Sequence, residues 1–588
     1  MADTTAMWKR GGGWLLEAPD AIYSPEDFDD TIKALAEITR TYVRREVMPL
    51  VERMEHGELD LNRGLLAKAG ELGPLAAEVP EEYGGLDLSK VATAAIGEEL
   101  APTGGFAVTF GAHTGIGTLP LVYFGTEEQK RRYLPKLATG EWIAAYALTE
   151  PGSGSDALGA RARATLSADG THYVLNGTKQ FITNSGFADL FTVFAKIDGE
   201  QFSAFLVERG FPGVDLGQEE NKMGIKSSST RQLILQNVQV PAENLLGEIG
   251  KGHRIAFNIL NIGRYKLGAG GVGAGKDALA LSAKYAKERK QFGRPIASFA
   301  LIQQKLARIA VRTYATESAT YRTLAVIDEA IAGKSGGAAI LAGIQEYAAE
   351  CSLLKVLGTE TMSFAADEGV QIHGGYGFLQ DFPIERAYRD ARIQRIFEGT
   401  NEINRMQAPT MLLRKAMRGE LPLMAAATKL QSELLEPSFE EPEGEWGREE
   451  LAVSNLKKLT LMLAGLAVQK FGTGIAEEQE VLAALGDLLI DVYAAESSVV
   501  RARKTGDEVQ GLMARLWLDG ALDRAQSRAL SALPRLAEGD DLRMMLSVAR
   551  RLTRREPWDT IAAERAVAAA VLAAEGYPEP AAVGKVAG

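Results

Sequence analysis

The 588-residue sequence predicts a mainly α-helical protein with one β-domain at its centre. Three observations carry that prediction. Phe28, Ile32, Leu35, Ile38, Val43, Val47 and Leu50 recur at helical spacing. Residues 172–175 and 179–183 are strand-like runs on either side of Asn176-Gly177, a hairpin-turn dipeptide. Long periodic helical segments then dominate at 253–290, 297–332 and 336–370. The expected order is an N-terminal helical domain at 1–140, a compact, barrel-like β-domain at 141–250 and a four-helix bundle at 251–417. An acidic linker at 418–450 and an appended helical domain at 451–588 follow.

Residues 1–23 read as an irregular arm broken at Gly11-Gly12-Gly13. Ser24-Pro25-Glu26-Asp27 has the N-cap serine, first-turn proline and acid of a helix start. Further helices are expected at 63–72, 90–102 and 106–124. A second capping box, Thr126-Glu127-Glu128-Gln129, opens a helix toward Leu137. Strands are expected at 190–195, 202–207 and 232–240, the last ended by Pro241. Turns at Gly293-Arg294-Pro295 and at 333–337 divide the bundle. The Pro/Gly-rich acidic run at 436–445 reads as flexible.

An internal repeat links the bundle to the appended region. Phe292-Gly293, Leu306, Tyr314-Ala315, Glu317-Ser318 and Arg322 recur as Phe471-Gly472, Leu485, Tyr493-Ala494, Glu496-Ser497 and Arg501, at a constant offset of 179. A constant offset across a turn and the helix after it favours duplication over chance likeness of two Ala-rich helices. The second copy has Val468 in place of Arg289 and no counterpart of the stretch around Glu398, so it reads as structural.

Composition narrows the function. A net charge of −12 disfavours a general nucleic-acid footprint. The single cysteine, Cys351, excludes an internal disulfide framework and fits a reducing compartment. Five histidines and one cysteine form no metal-ligand spacing, so no metal is expected. The N-terminus resembles neither a secretory signal nor a transit peptide, and no segment has the uncharged length of a membrane span. The expected location is the cytoplasm.

Four stretches carry residues suited to chemistry. In Arg395-Ile396-Phe397-Glu398-Gly399-Thr400-Asn401-Glu402-Ile403, apolar neighbours would desolvate Glu398 and make it a stronger base. Gly399 permits close approach, and Thr400 can cap a helix. A glutamate at a helix start is more often structural, so the case depends on the rest of the chain. The loop from Tyr146 to Asp156, YALTEPGSGSD, offers N–H groups and hydroxyls to a flat ring or an anion. Composition alone favours a plain loop. Gln371-Ile372-His373-Gly374-Gly375-Tyr376-Gly377-Phe378 allows close backbone approach, though a helix ending in glycine is common. Arg289-Lys290-Gln291-Phe292-Gly293 puts a cation and a ring at a helix end, where the plain reading is a dipole partner beside a core Phe.

Together and in this order, YALTEPGSGSD, FITN, RKQFG, QIHGGYGF and IFEGTNEI resemble the acyl-CoA dehydrogenase family over about residues 25 to 417. The acidic linker and extra helices resemble its very-long-chain branch. The resemblance implies an FAD enzyme that oxidises fatty acyl-CoA, expected to be long-chain, to trans-2-enoyl-CoA in β-oxidation. Glu398 is then the base that removes the α-proton. Tyr146, Leu148, Thr149 and Ser155 would line the flavin, with Phe181 and Thr183 on its other side. Arg289, Gln291, Phe292, Gln371 and Gly375 would reach the FAD of a neighbouring subunit, and Thr400 and Glu402 would lie beside the cofactor. Ser155, Asn261, Arg264, Phe397 and Gly399 would contact acyl-CoA. Some relatives carry the base on the helix bearing Arg264; here that position is Gly263, which leaves Glu398. Phe181 stands where many members have Trp.

The implied partners are acyl-CoA, an electron-transferring flavoprotein and a second copy of the chain in a dimer. An acyl-CoA oxidase is the alternative that shares base and flavin. A non-catalytic DNA-associated member would need a basic appended region, and here acids and bases are mixed. One segment, 541–555, clusters five arginines with apolar residues and suggests peripheral contact with the inner face of the membrane. The other reading is an ordinary bundle helix whose arginines pair with nearby acids.

Overall fold

The computed structural model describes residues 6–435 and 442–579. Helices α1 (Asp30–Tyr42), α2 (Met48–Glu55), α3 (Leu61–Leu72), α4 (Lys90–Leu100), α5 (Gly105–Gly111), α6 (Leu119–Phe124) and α7 (Glu127–Thr139) form the N-terminal domain. The capping box at Ser24 forms, but it closes only a 3-10 turn at Pro25–Asp27; α1 starts at Asp30, capped by Asp29. The expected helix at 106–124 is interrupted by a π turn at Ala112–Gly117, a distortion frequent near functional sites. His113 in this turn is buried, accepting from the Ala144 N–H and facing the Leu137 carbonyl.

The glycine-broken arm is docked. The Gly11 and Gly12 N–H groups donate to Glu346 and Glu350, and Trp14 Nε1 donates to Glu350. Trp14 and Leu15 belong to the main core.

The β-domain is one sheet with strands β1 (Ala144–Ala147), β2 (Arg163–Leu166), β3 (His172–Thr183), β4 (Leu190–Ile197), β5 (Gln201–Glu208), β6 (Val214–Leu216), β7 (Thr230–Pro241) and β8 (Leu245–Leu246). Its order is β6-β7-β3-β2-β4-β5-β8, with β1 parallel to β4. The sheet does not close, which corrects the barrel-like expectation: β6 and β8 stay at opposite edges, and the apolar face has its own core from Ala145 to Val240. The hairpin at Asn176-Gly177 is also corrected. β7 is as long as the whole run, so 172–183 pairs along it as one strand, with an irregularity between Leu175 and Gly177. Gly177 is required there, because a Cβ would lie 2.8 Å from that of Ala162.

The bundle comprises α8 (Gly252–Glu288), α9 (Ala300–Ile331), α10 (Gly337–Glu346), α11 (Ala348–His373), α12 (Pro383–Gln394) and α13 (Asn401–Met417). Gly271 of α8 and Gly358 of α11 let the two backbones touch: a Cβ on Gly271 would lie 2.3 Å from the Gly358 carbonyl oxygen. The expected linker at 418–450 is largely structured. Leu423–Leu435 forms α14, and α15 (Gly447–Phe471) begins before 450, because apolar residues at 423, 427 and 430 find a partner in α15. Of the flexible run at 436–445, residues 436–441 lie outside the described residues.

The appended domain adds α16 (Gln479–Thr505), α17 (Glu508–Leu536), α18 (Gly539–Leu552) and α19 (Thr560–Ala574). The segment Gly447–Glu477 is long and apolar enough to cross a bilayer, but Leu456, Leu459, Leu463 and Ala467 are buried in the protein core. The repeated residues meet across α9 and α16. Arg322 binds Glu496 at 2.9 Å and lies over the Tyr493 ring; Arg501 binds Glu317 at 2.6 Å and lies over the Tyr314 ring. Each copy supplies what the other supplies, the reciprocity of a two-fold interface built inside one chain.

Candidate active site

Glu398 sits between α12 and α13 with φ 57°, a backbone region unfavourable to side-chain-bearing residues. Thr400 caps α13 by accepting from the Ile403 N–H, and Asn404 Nδ2 donates to the carbonyls of Gly399 and Thr400 at 2.8 and 3.0 Å. These bonds hold the turn that aims Glu398 inward. Its carboxylate lies against Gly263 of α8: a Cβ there would be 2.6 Å from Oε2 and 2.7 Å from Cδ. The glycine noted in the sequence is therefore the space the Glu398 carboxylate occupies.

Burial pushes the Glu398 carboxyl up to about 7, with Arg264 and Lys355 opposing. Its Oε2 is buried and has no hydrogen-bond partner among the described residues. A desolvated, unpartnered carboxylate at this value can take a proton near neutral pH. Arg264 Nη1 donates to Asn261 Oδ1 at 3.1 Å, so this sequence-predicted pair lies directly beneath the turn.

Sequence reasoning missed Lys355. It comes from α11 and donates to Asn401 Oδ1 at 2.7 Å, pinning the first residue of α13. Burial brings its ammonium down to about 7, with Glu398 opposing. Nothing in the local pattern of α11 marks Lys355; packing alone brings it to a turn more than forty positions away.

A cavity of about 230 Å³ opens from Glu398, Phe397 and Gly263. Along α8 it follows Gly263, Leu267, Gly270, Ala274 and Asp277, one helical face. That face spans about 21 Å at 1.5 Å per residue. The glycines of this region divide into two groups. Gly104, Gly105 and Gly117 allow close packing, whereas Gly97, Gly111 and Gly270 face open space and widen the cavity.

On the β-domain side, Thr183 lines the same cavity. The Gln180 N–H donates to the Thr149 carbonyl at 2.8 Å, joining the 146–156 loop to β3. Glu150 and the buried Lys179 pair at 2.7 Å, and Glu150 also accepts from the Arg161 and Ala162 N–H groups. Tyr146 Oη is buried without a partner among the described residues, and burial, then Glu398, raises its phenol. Leu148 is buried, Ser155 is exposed, and Phe181 is 62% exposed at φ 59°. An orphaned hydroxyl, an exposed ring and Thr183 on the cavity wall fit one face of a flat cofactor.

Of the predicted residues only Thr183, Phe397 and Glu398 line this cavity. Arg289, Gln291 and Gly375 line a second one, of about 610 Å³, with Tyr285, His373 and Tyr376. Gln371 is exposed, and Phe292 is 92% exposed. Glu402 is exposed at the start of α13.

Models of acyl-CoA dehydrogenase domains match residues 29–141 (N-terminal), 145–238 (middle), 250–412 (C-terminal) and, again as C-terminal domain, 455–551. The chain belongs to the acyl-CoA dehydrogenase family. As an acyl-CoA dehydrogenase it is a flavin-dependent oxidoreductase. It is 52% identical to a probable acyl-CoA dehydrogenase of Bacillus subtilis over 98% of this chain and all of that one. It is 38% identical to the human mitochondrial very long-chain specific enzyme, over 74% of this chain and 69% of the other. Among solved structures, an acyl-CoA dehydrogenase from Bacillus anthracis complexed with FAD superposes at a TM-score of 0.94, with 53% identity over 97% and 99% of the two chains. The butyryl-CoA dehydrogenase of Megasphaera elsdenii reaches 0.60 with 35% identity, covering 66% of this acyl-CoA dehydrogenase and 99% of the other chain.

The arginine-rich segment 541–555 packs on the protein along much of its apolar face. Val548, Ala549 and Leu552 of α18 are buried, Leu542, Met545 and Leu546 pack on the core, and Arg555 pairs with Asp519 and Asp523. Most of its apolar face is thus used inside the protein.

Proposed function

We propose that the chain dehydrogenates long-chain fatty acyl-CoA at Cα–Cβ, with Glu398 as the base and FAD as the cofactor. The observation that carries this reading is Glu398, its Oε2 buried and without a partner among the described residues, at the head of a cavity lined by α8 from Gly263 to Asp277, a helical run of about 21 Å. When bound, FAD supplies the acceptor for the β-hydride. Tyr146, Leu148, Thr149, Ser155, Phe181 and Thr183 would hold it from the β-domain, and Thr400 and Glu402 from α13. Glu398 takes the α-proton, and its backbone N–H polarises the thioester carbonyl. Asn261 and Arg264 hold the turn and the thioester end, with Ser155, Phe397 and Gly399 beside it.

We infer a homodimer from the second group. Arg289, Gln291, Phe292, Gln371 and Gly375 are solvent-facing together with Tyr376 and Phe378, an exposed aromatic surface suited to a second copy and its FAD. An electron-transferring flavoprotein is the expected acceptor. A cytoplasmic location fits the lone, buried Cys351. Contact with the membrane reduces to a weak, salt-sensitive attraction of the α18 arginines, since little of that helix is free to insert.

The test is an anaerobic flavin-bleaching titration with acyl-CoAs of increasing length, alongside Glu398→Gln. Palmitoyl-CoA should bleach with higher specificity than butyryl-CoA, and the variant should keep FAD and bind acyl-CoA while losing turnover by several orders of magnitude. A preference for butyryl-CoA refutes the long-chain reading; normal bleaching by the variant moves the base elsewhere.

A further inference from the structure

The far end of the cavity is polar, although a hydrocarbon tail has no use for polar groups. Asp277, which with Ala278 forms the last part of α8 to line the cavity, makes no hydrogen bond or ion pair to any described residue. Opposite it, α12 presents Arg386 and Asp390, one turn apart and on the same face. Arg386 Nη2 donates to the Pro102 carbonyl at 2.9 Å, and its Nε is buried with no partner. Asp390 Oδ1 accepts from the Ile225 N–H; its Oδ2 is buried, unpartnered, and faces Gly104, where a Cβ would lie 2.2 Å away. Burial pushes the carboxyls of Asp277 and Asp390 up to about 6. No ion pair joins Asp277 to Arg386 among the described residues, although both line the cavity and the guanidinium acts on the Asp277 carboxyl.

A methyl terminus entering this end of the cavity would desolvate these groups and satisfy none of them. A terminal carboxylate would meet one guanidinium and two acids. A terminal hydroxyl both donates and accepts, which suits a carboxylate on one wall and a guanidinium N–H on the other.

We propose that this end of the cavity is a subsite for a terminal hydroxyl, so that the substrate class includes long-chain ω-hydroxyacyl-CoA, with Asp277 and Arg386 as its specificity-determining residues. The inference rests on the long-chain reading above and names which long chains are favoured. The reacting carbons are unchanged: Glu398 takes the α-proton, the β-hydride leaves to the flavin, and the distant hydroxyl takes no part in the chemistry.

The experiment compares kcat/KM for 16-hydroxyhexadecanoyl-CoA and hexadecanoyl-CoA in the FAD-loaded full-length protein, in Asp277→Leu and in Asp277→Asn. The wild type should favour the hydroxylated chain. Asp277→Leu should lower the hydroxylated-to-plain ratio at least tenfold, through KM rather than kcat, and Asp277→Asn, which keeps a hydrogen-bonding group, should change it by less than threefold. A wild type that favours the plain chain, or a ratio unmoved by Asp277→Leu, overturns the proposal and leaves the polar end as a water site. The wild-type comparison stands even where the leucine variant fails to fold. Bleaching by neither thioester overturns the long-chain reading as well, which separates the two failures.

Discussion

At the scale of single residues, the catalysis proposed for Glu398 depends on a space as much as on a group. Gly263 leaves room for the Glu398 carboxylate, so Gly263→Ala should displace the base. A shift of about 1 Å in a reacting group costs on the order of a hundredfold in rate. Stopped-flow bleaching should show that loss with FAD content unchanged; an unchanged rate would mean the turn yields freely. The buried charge around Glu398 sets a pH dependence. The base works deprotonated, so kcat/KM should fall as pH drops through about 7, the value to which burial raises Glu398. Lys355 opposes that rise, so Lys355→Met should move the limb to higher pH by roughly one unit. A limb unmoved by the variant would assign the ammonium a purely structural role through Asn401.

Among elements, α8 and the α9–α16 pair make separate predictions. Gly270 faces open space midway along the cavity, so a leucine there should block its distal half. Each methylene turned out of the cavity forfeits about 0.8 kcal/mol. Gly270→Leu should therefore lose palmitoyl-CoA activity at least tenfold while keeping octanoyl-CoA activity; equal losses on both would indicate damage to the helix. In the α9–α16 pair, Arg501 lies between Glu317 and Glu26. Removing it leaves Glu317 to Lys276 and Tyr577 and Glu26 to Gln510, so the loss should stay below the ~3–5 kcal/mol of a fully broken buried pair, and calorimetry of Arg501→Ala should show a lower Tm. Burial would raise the Glu26 carboxyl, but Arg501 outweighs it and holds it at about 2, below the ordinary 4.5. With the folded value below the unfolded one, this stability is fully present above about 4.5 and fades as pH falls toward 2. The acid-dependent part should be absent from Arg501→Ala.

For the whole molecule, the two C-terminal regions form one body rather than a bundle with a tethered module. The main core runs from Trp14 through α8, α9 and α11 into α16 and α17. A chain ended after residue 417 would bare the apolar faces of α9 and α13. Size-exclusion chromatography should find it aggregated or in larger assemblies than the full chain; a well-behaved truncation with the full chain's elution and flavin content would show the domains to be independent. The full chain should sediment as a dimer, and a monomer with full flavin occupancy would contradict the shared cofactor site.

The sequence by itself determined the order of helical and β-regions, the Glu398 turn with its Gly399 and Thr400, and the constant spacing that matches residues of α9 to those of α16. Each rests on local chemistry or on a constant spacing, and both are written along the chain. Tertiary structure decided the rest. Whether 172–183 turned or ran straight depended on the length of β7, a strand fifty residues away. Whether 418–450 was a linker depended on α15 offering α14 an apolar face. Glu398 acquires its basicity from burial, and Lys355 its proximity from the packing of α11 against α8 and α13. Glycines that look alike in sequence divide into those touching backbone and those facing a cavity, because only the fold says what stands opposite each one.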